Sequence, residues 1–462
     1  MTNTDCLKNE ITSTNHETTS GINDFIQGFL SYDKKASIIV ETAEKDPKNC
    51  LANAYASMLW MFLESPEAPE KAKPFLEKAK ESKTFATKRE SKIVDIVHDW
   101  AVDDIPNLLR KCENLLDIYP RDLVILKLAQ THYFNIGDSA GMLRVALKGL
   151  PEGEKNPYLH GMIAFGYEQC HLIREAEESA KKAMSIKWNE PWSHHALAHV
   201  MLTEGRVEEG ITFLESVSES WKGLNSFMYT HNWWHLALFY LSKGRNKDAL
   251  KVYDKHVWGI EKNYSQDQIG ATSLLARIEF SGVDVAGRWE DLAKYISIRS
   301  KDTTNPFNTM QYLFALGKAD HDSFHELLLE IRNKAKNKNT FNFSTWTEVV
   351  LPACEGIMSH IFGRHSECAT LLGRALPRIF EAGGSHAQRD FFNQIHLDSL
   401  IKSGNYSAAQ QILESRRSFD PNGVPLNKLL EKVYFDLGLP KQSNIARERW
   451  QKNISQKKFT KG

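Results

Sequence analysis

The sequence predicts an all-α fold, a solenoid of stacked antiparallel helical hairpins. Three observations lead there. Between Pro157 and Tyr253, small and large apolar residues recur with a period close to 34 residues. Inside each period, small residues such as Ala198 and Ala237 stand where two antiparallel helices must approach, and larger apolar residues fill the contact between them. Each hairpin is too small to bury its own apolar face, so stacking on its neighbours must supply the core, and 462 residues give ample length for one.

Taken in order, residues 1–22 are rich in Thr, Asn, Ser and Glu and read as a disordered polar tail. Residues 23–120 read as N-terminal helical hairpins. Phe25, Phe29, Ile38 and Ile39 keep helical spacing around a short turn, LANAYASMLWMFL forms one apolar helix, and the Lys- and Glu-rich stretch from Pro69 to Ser82 is its exposed partner. Residues 121–264 hold the best-matched repeats. Trp233, Leu236, Ala237, Tyr240, Ala249 and Tyr253 match the tetratricopeptide pattern W-x2-L-G-x2-Y…A-x3-F, with Ala for Gly and Tyr for Phe. Earlier copies start near Pro191 (Leu197, Ala198, Met201, Gly210, Leu214), near Pro157 (Ile163, Ala164, Tyr167, Ala176, Ala180, Ala183) and, more weakly, near Asp122 (Leu128, Ala129, His132). Residues 265–440 read as C-terminal repeats, with mid-repeat turns at Gly363 and Gly404. The stretch 266–338 fits the pattern least. Gly282 and Gly287 flank a short loop there, NKAKNKNTFNFS from Asn333 reads as a linker, and any architectural break is expected in this region. Residues 441–462 form a basic C-terminal tail, read as a solvated, frayed end.

The charge balance is zero, with 58 basic and 58 acidic residues, so nothing global recruits nucleic acid or an anionic membrane, and neither is expected as a partner. Six cysteines without C-x-x-C spacing fit free thiols in a reducing compartment. No apolar run approaches the roughly 18–20 residues that span a bilayer, and the N-terminus lacks an apolar export segment, so a cytoplasmic location is expected. No Gly-rich phosphate loop, dinucleotide fingerprint or kinase signature is present, which disfavours nucleotide chemistry.

Two constellations carry chemistry. His195 and His199 in SHHALAHV, and His231 and His235 in THNWWHLA, stand four apart in the first helices of neighbouring repeats. Residues four apart share a helix face, and neighbouring helices pack at roughly 8–10 Å, so side chains from both pairs can converge on one small ion or ligand. A divalent metal held by imidazole nitrogens, with the Glu168 carboxylate near, is geometrically admissible. The alternatives are a polar groove without metal and satisfied structural histidines, and H-x-x-x-H lacks the Glu of the zincin motif. In GGSHAQRDFFNQ, Gly383 or Gly384 can end one helix, while Ser385 and Gln388 can form a capping box on the next. Arg389, Asp390, Asn393 and Gln394 remain as candidate polar contacts, with Arg389 able to grip a carboxylate or phosphate or to pair with an acid of the array. Cys170, beside Glu168 and His171, reads as packing.

HHALAH, HNWWHLALFY, the YDKHV stretch, GVDVAGRW, the PFN at Pro306–Asn308 and GGSHAQRDFFNQ together resemble the tetratricopeptide repeat protein 38 family over nearly the whole chain. The resemblance implies an α-solenoid in which the four histidines and the Gly383–Gln394 motif are kept. One departure stands out: where members often show F-N-x-x-H, this chain has Phe307, Asn308 and then Gln311. In arrays of this kind the second, fifth, ninth and twelfth positions of each first helix face a concave groove. That places His195 and His199 at the fifth and ninth, His231 at the second, Glu168 at the twelfth, and His235 at the sixth, nearer the edge. Two functions follow. In one, the groove binds a peptide, protein partner or small ligand through Glu168, His195, His199, His231, His235, Arg389, Asp390 and Asn393. In the other, the histidine pairs hold a divalent metal in a hydrolase-like enzyme, with Glu168 or Asp390 as general base.

Overall fold

The computed structural model describes residues 3–13 and 15–455. Apart from one short N-terminal β-hairpin, its elements are helices, arranged as the hairpin array the sequence predicts. The chain divides into two compact units, and the division falls within the helix Pro191–Thr203, between Ala196 and Leu197.

The first unit comprises residues 1–196 with the short segments 220–228 and 339–341. Its hairpins pair His16–Ser31 with Ile38–Lys45, Cys50–Met61 with Ala68–Ser82, Lys88–Ala101 with Ile105–Leu116, Leu123–Asn135 with Ser139–Leu147, and Pro157–Gln169 with Ile173–Ile186. Polar caps start these helices where the apolar periodicity begins. Asp122 accepts from the Ile125 amide, Asp138 from Gly141, and Asn156 from Tyr158 and Leu159 ahead of Pro157 at the first helical position. The second helix of each repeat is amphipathic, as in Ile173–Ile186, where only Ala176, Ala180 and Ala183 are buried.

The N-terminal segment is folded, which corrects its reading as a disordered tail over residues 1–22. Asn3–Thr4 pairs antiparallel with Glu10–Ile11, and the helix from His16 begins well inside the supposed tail. Buried Asp5 meets the buried Arg89 guanidinium at 3.3 Å, and Arg89 also meets Asp122 at 2.6 Å. Thr12 donates its amide to Glu90 at 3.0 Å, so a polar sequence is ordered by partners about 80 residues away.

The second unit comprises residues 197–219, 229–338 and 342–462. Its hairpins continue with Val207–Val217 after Pro191–Thr203, then Ser226–Ser242 with Asn246–Val252, Ser265–Phe280 with Arg288–Ile296, Pro306–Lys318 with Ser323–Lys336, and Leu351–Ile361 with His365–Ala375. His386–Lys402 with Tyr406–Arg417 and Val424–Asp436 with Pro440–Ser455 complete it. The stretch 266–338 is regular helix pairs, and the main division of the chain falls at 196–197 and not there; residues 339–341, within NKAKNKNTFNFS, group with the first unit. The basic C-terminal stretch is the second helix of the last hairpin, anchored by buried Ala446, and so is no frayed tail as far as Ser455; residues 456–462 lie outside the described residues.

Within the second unit, turns from distant repeats meet. The Ser242 hydroxyl donates to Asp420 at 2.6 Å, and Lys243 bonds Asn453. Gly205 sits at φ +67°, where a side chain is strained, and a Cβ there would lie 2.0 Å from the Phe419 carbonyl oxygen.

Candidate metal centre

His195 and His199 stand one turn apart on the unbroken helix Pro191–Thr203, and His231 and His235 one turn apart on Ser226–Ser242. Ala196, Ala198 and Ala237, all fully buried, keep the helices slender where they pack. Inside the second unit, the His199 and His235 rings meet edge to face with centroids 4.5 Å apart, and His231 meets His235 at 4.9 Å. One ring nitrogen from each of the four imidazoles lies within 4.8 Å of those of the other three. His235, placed at the groove edge by sequence position, instead meets both His199 and His231.

The four side chains are 0–8 % exposed, so they form a closed cluster and do not line an open groove. The reason is aromatic cover. Phe165 and Trp192 pack on His195 with centroids 5.0 and 4.3 Å away, and the Trp234 indole stacks on His231 at 5.3 Å and 8°. Burial, with His199 beside it, pushes the His231 imidazole down to about 3. Burial and the neighbouring His199, His231 and Arg277 push His235 well below the usual imidazole range. His231 and His235 are therefore neutral near pH 7, the form in which imidazole donates a lone pair to a metal.

A tetrahedral ion with bonds of about 2.0–2.1 Å needs its nitrogens about 3.4 Å apart. The four candidate nitrogens lie within 4.8 Å of one another, close to that separation. The donor set contains four imidazoles and no carboxylate. Glu168 is fully buried near the end of Pro157–Gln169, where its carboxylate takes a hydrogen bond from the Gln169 side chain. His194, between the pairs in sequence, is a structural histidine. Its Nε2 meets the Trp188 carbonyl oxygen at 2.8 Å, and its Nδ1 accepts from the Trp221 indole at 3.2 Å.

The GGSHAQRDFFNQ residues form a different environment. Ser385 and Gln388 make the capping box that the sequence predicts, and Gly383 and Gly384 both take positive φ. Arg389 turns back on its own helix start, donating to the Gly384 carbonyl and meeting His386 Nδ1 at 3.0 Å. Asp390 is the ion-paired member: Arg416 grips both its oxygens, and Gln394 donates to it at 2.7 Å. Burial works to raise the Asp390 carboxyl, but Arg416 and Arg277 outweigh it and hold it at about 2. Asn393 is half-buried on the same helix. Sequence reasoning did not single out Trp234, which stacks on His231, or Arg277, which stands two positions before Glu279 in SLLARIEF.

No protein-family model matches the chain. Among solved structures it is similar to the human IFIT1 dimer with PPP-AAAA, at 15 % identity over 95 % of each chain and a TM-score of 0.37. It is likewise similar to the human IFIT1 dimer with m7Gppp-AAAA, at 16 % identity over 96 % of each chain and a TM-score of 0.37. A third similar structure is Naa15/Naa10 bound to HypK-THB, at 13 % identity over 94 % of this chain and 63 % of that chain, with a TM-score of 0.25. The ligands in those structures are theirs. Among the described residues, no helix is long and apolar enough to cross a membrane.

Proposed function

We propose that this protein is a tetratricopeptide-like binding protein whose first helices are tied together by one divalent transition-metal ion on His195, His199, His231 and His235. The observation that carries this reading is the convergence of four buried imidazole nitrogens within 4.8 Å. An all-imidazole set suits zinc, copper(II) or nickel(II) and is poor for magnesium or calcium, which take oxygen ligands. Four protein ligands complete a tetrahedron, whereas catalytic zinc sites keep a position open for water. With all four positions filled by imidazole, the centre fits an organising role better than hydrolysis. Recognition of a peptide, protein partner or small ligand then falls to surfaces of the array that the ion holds in register. The resemblance to the tetratricopeptide repeat protein 38 family supports this reading, because HHALAH and HNWWHLALFY are the segments that supply the four ligands.

The test is elemental analysis of tag-free protein grown with metals supplied and purified without chelator, beside a His195→Ala/His199→Ala double variant of unchanged helicity. Near-stoichiometric zinc, copper or nickel, lost in the double variant, is the expected result. Metal-free protein that also fails to take up cobalt(II) or zinc(II) on titration overturns the reading.

A further inference from the structure

Asn232 stands on the helix Ser226–Ser242 between His231 and His235 and is fully buried. Neither its carboxamide oxygen nor its carboxamide nitrogen has a hydrogen-bond partner among the described residues. A buried amide left unbonded forfeits the bonds it makes to water in the unfolded chain, and such groups are rare. The repeat itself does not require an amide here. His195, Ala196 and His199 stand in the same order as His231, Asn232 and His235, 36 positions earlier, and Ala196 is also fully buried. Asn232 shares its helix face with Met228, His235, Leu236 and Phe239, all fully buried. That face packs on Val207–Val217, where a Cβ on Gly210 would lie 2.5 Å from the Phe239 ring. The inward residues of that helix are Gly210, Ile211 and Leu214, which offer the carboxamide nothing polar. The polar side chain on Asn232's own face is His235.

We propose that Asn232 is the positioning residue of His235, its carboxamide oxygen accepting from the ring nitrogen of His235 that does not bind the ion. This inference rests on the metal centre proposed above. An imidazole binds a metal through one nitrogen and carries its proton on the other, and holding that N–H fixes both the tautomer and the plane of the ring. Residues three apart on one helix face have Cβ atoms about 5–6 Å apart, a separation that an asparagine and a histidine span with one hydrogen bond. The other ligand of the same helix has its own support. The Trp234 indole stacks on His231 at 5.3 Å and 8°, and its N–H donates to the Ser273 hydroxyl at 3.0 Å. Asn232 gives His235 the matching restraint. Position 196 can be alanine because it precedes a different ring pair and need only fill space.

Titration of the full chain with cobalt(II) and zinc(II), read by the cobalt d–d absorption and by competition with a chelator, tests the assignment in the wild type, Asn232→Leu and Asn232→Ala. Expected in both variants are a metal affinity lowered about ten- to a hundred-fold and a displaced cobalt absorption, the signature of a ligand ring that has lost its orientation. Thermal stability before metal is added should change little in Asn232→Leu, since the carboxamide has no partner to lose and leucine has a similar volume. Wild-type affinity with an unchanged cobalt spectrum in the variants overturns the proposal. So does lowered stability with affinity and spectrum intact, which would make Asn232 a packing residue only. Should Asn232→Leu fail to fold, Asn232→Ala, which copies the residue at position 196, decides. A wild-type chain that takes up neither ion overturns the metal centre itself, an outcome distinct from the others.

Discussion

The His235 ring lies edge to face against His199, centroids 4.5 Å apart, although the two residues are 36 positions apart and on different helices. His235→Ala removes a ring that meets both His199 and His231 and should abolish stoichiometric metal binding. Adding zinc to the wild-type apo protein should raise its stability by about 2.7 kcal/mol when free zinc exceeds Kd a hundred-fold. Differential scanning calorimetry of apo and loaded protein checks this, and an equal zinc response in His235→Ala would contradict it.

Acid should destabilise the first unit through His132. Burial alone pushes this imidazole down to about 3, where it packs edge-on against Trp100 with centroids 4.6 Å apart. In the unfolded chain it takes up a proton near pH 6.5. Its stabilising contribution is therefore full above that pH and is lost as pH falls from about 6.5 towards 3, at about 1.4 kcal/mol per pH unit. Urea midpoints at pH 7 and pH 5 should converge in His132→Phe relative to the wild-type chain.

Arg89→Met should destabilise the first unit by about 3–5 kcal/mol, because it leaves Asp5 and Asp122 buried together without their shared cation. Chemical denaturation measures the loss. Limited proteolysis should then cut near residues 3–13 first, since Asp5 is a principal tether of that hairpin.

Gly205→Ala and Gly404→Ala separate backbone strain from collision. Both glycines have positive φ, +67° and +77°, but only at Gly205 would a Cβ strike another atom, the Phe419 carbonyl oxygen, while nothing lies within 4 Å at Gly404. Gly404→Ala should cost about 1–2 kcal/mol, the usual penalty of a left-handed Cβ. Gly205→Ala should cost distinctly more and loosen the contact with the 419–420 turn, seen as faster amide exchange there.

The repeat frame was legible because its cues are local. Ala198, Ala237 and the caps at Asp122 and Asn156 fix helix spacing and starts within a few residues of themselves. The convergence of the four histidines was legible too, since matched i,i+4 pairs on neighbouring helices have few other places to go. What escaped depended on distant partners. Asp5 looks like one more polar residue of a tail until Arg89, 84 positions on, is beside it. His235 was assigned to the edge by a position count that assumes one standard first helix, whereas Ser226–Ser242 runs 17 residues and turns this ring inward. Arg389 drew notice for its motif, and its guanidinium donates to the Gly384 carbonyl at its own helix start.

The bond from Ser242 to Asp420 joins turns separated by 178 positions. A simple stack of hairpins melts from its ends, each repeat answering only to its neighbours, so its energy is nearly a sum over adjacent pairs. A clasp between an early turn and a late one removes that freedom. The second unit should therefore behave as a closed loop of repeats: trimming the last hairpin would remove Asn453 from Lys243 as well as a cap, and the damage would reach the turn following the helix that carries His231 and His235. Unfolding by denaturant should accordingly be one steep transition across that unit, steeper than an open array of the same length could give.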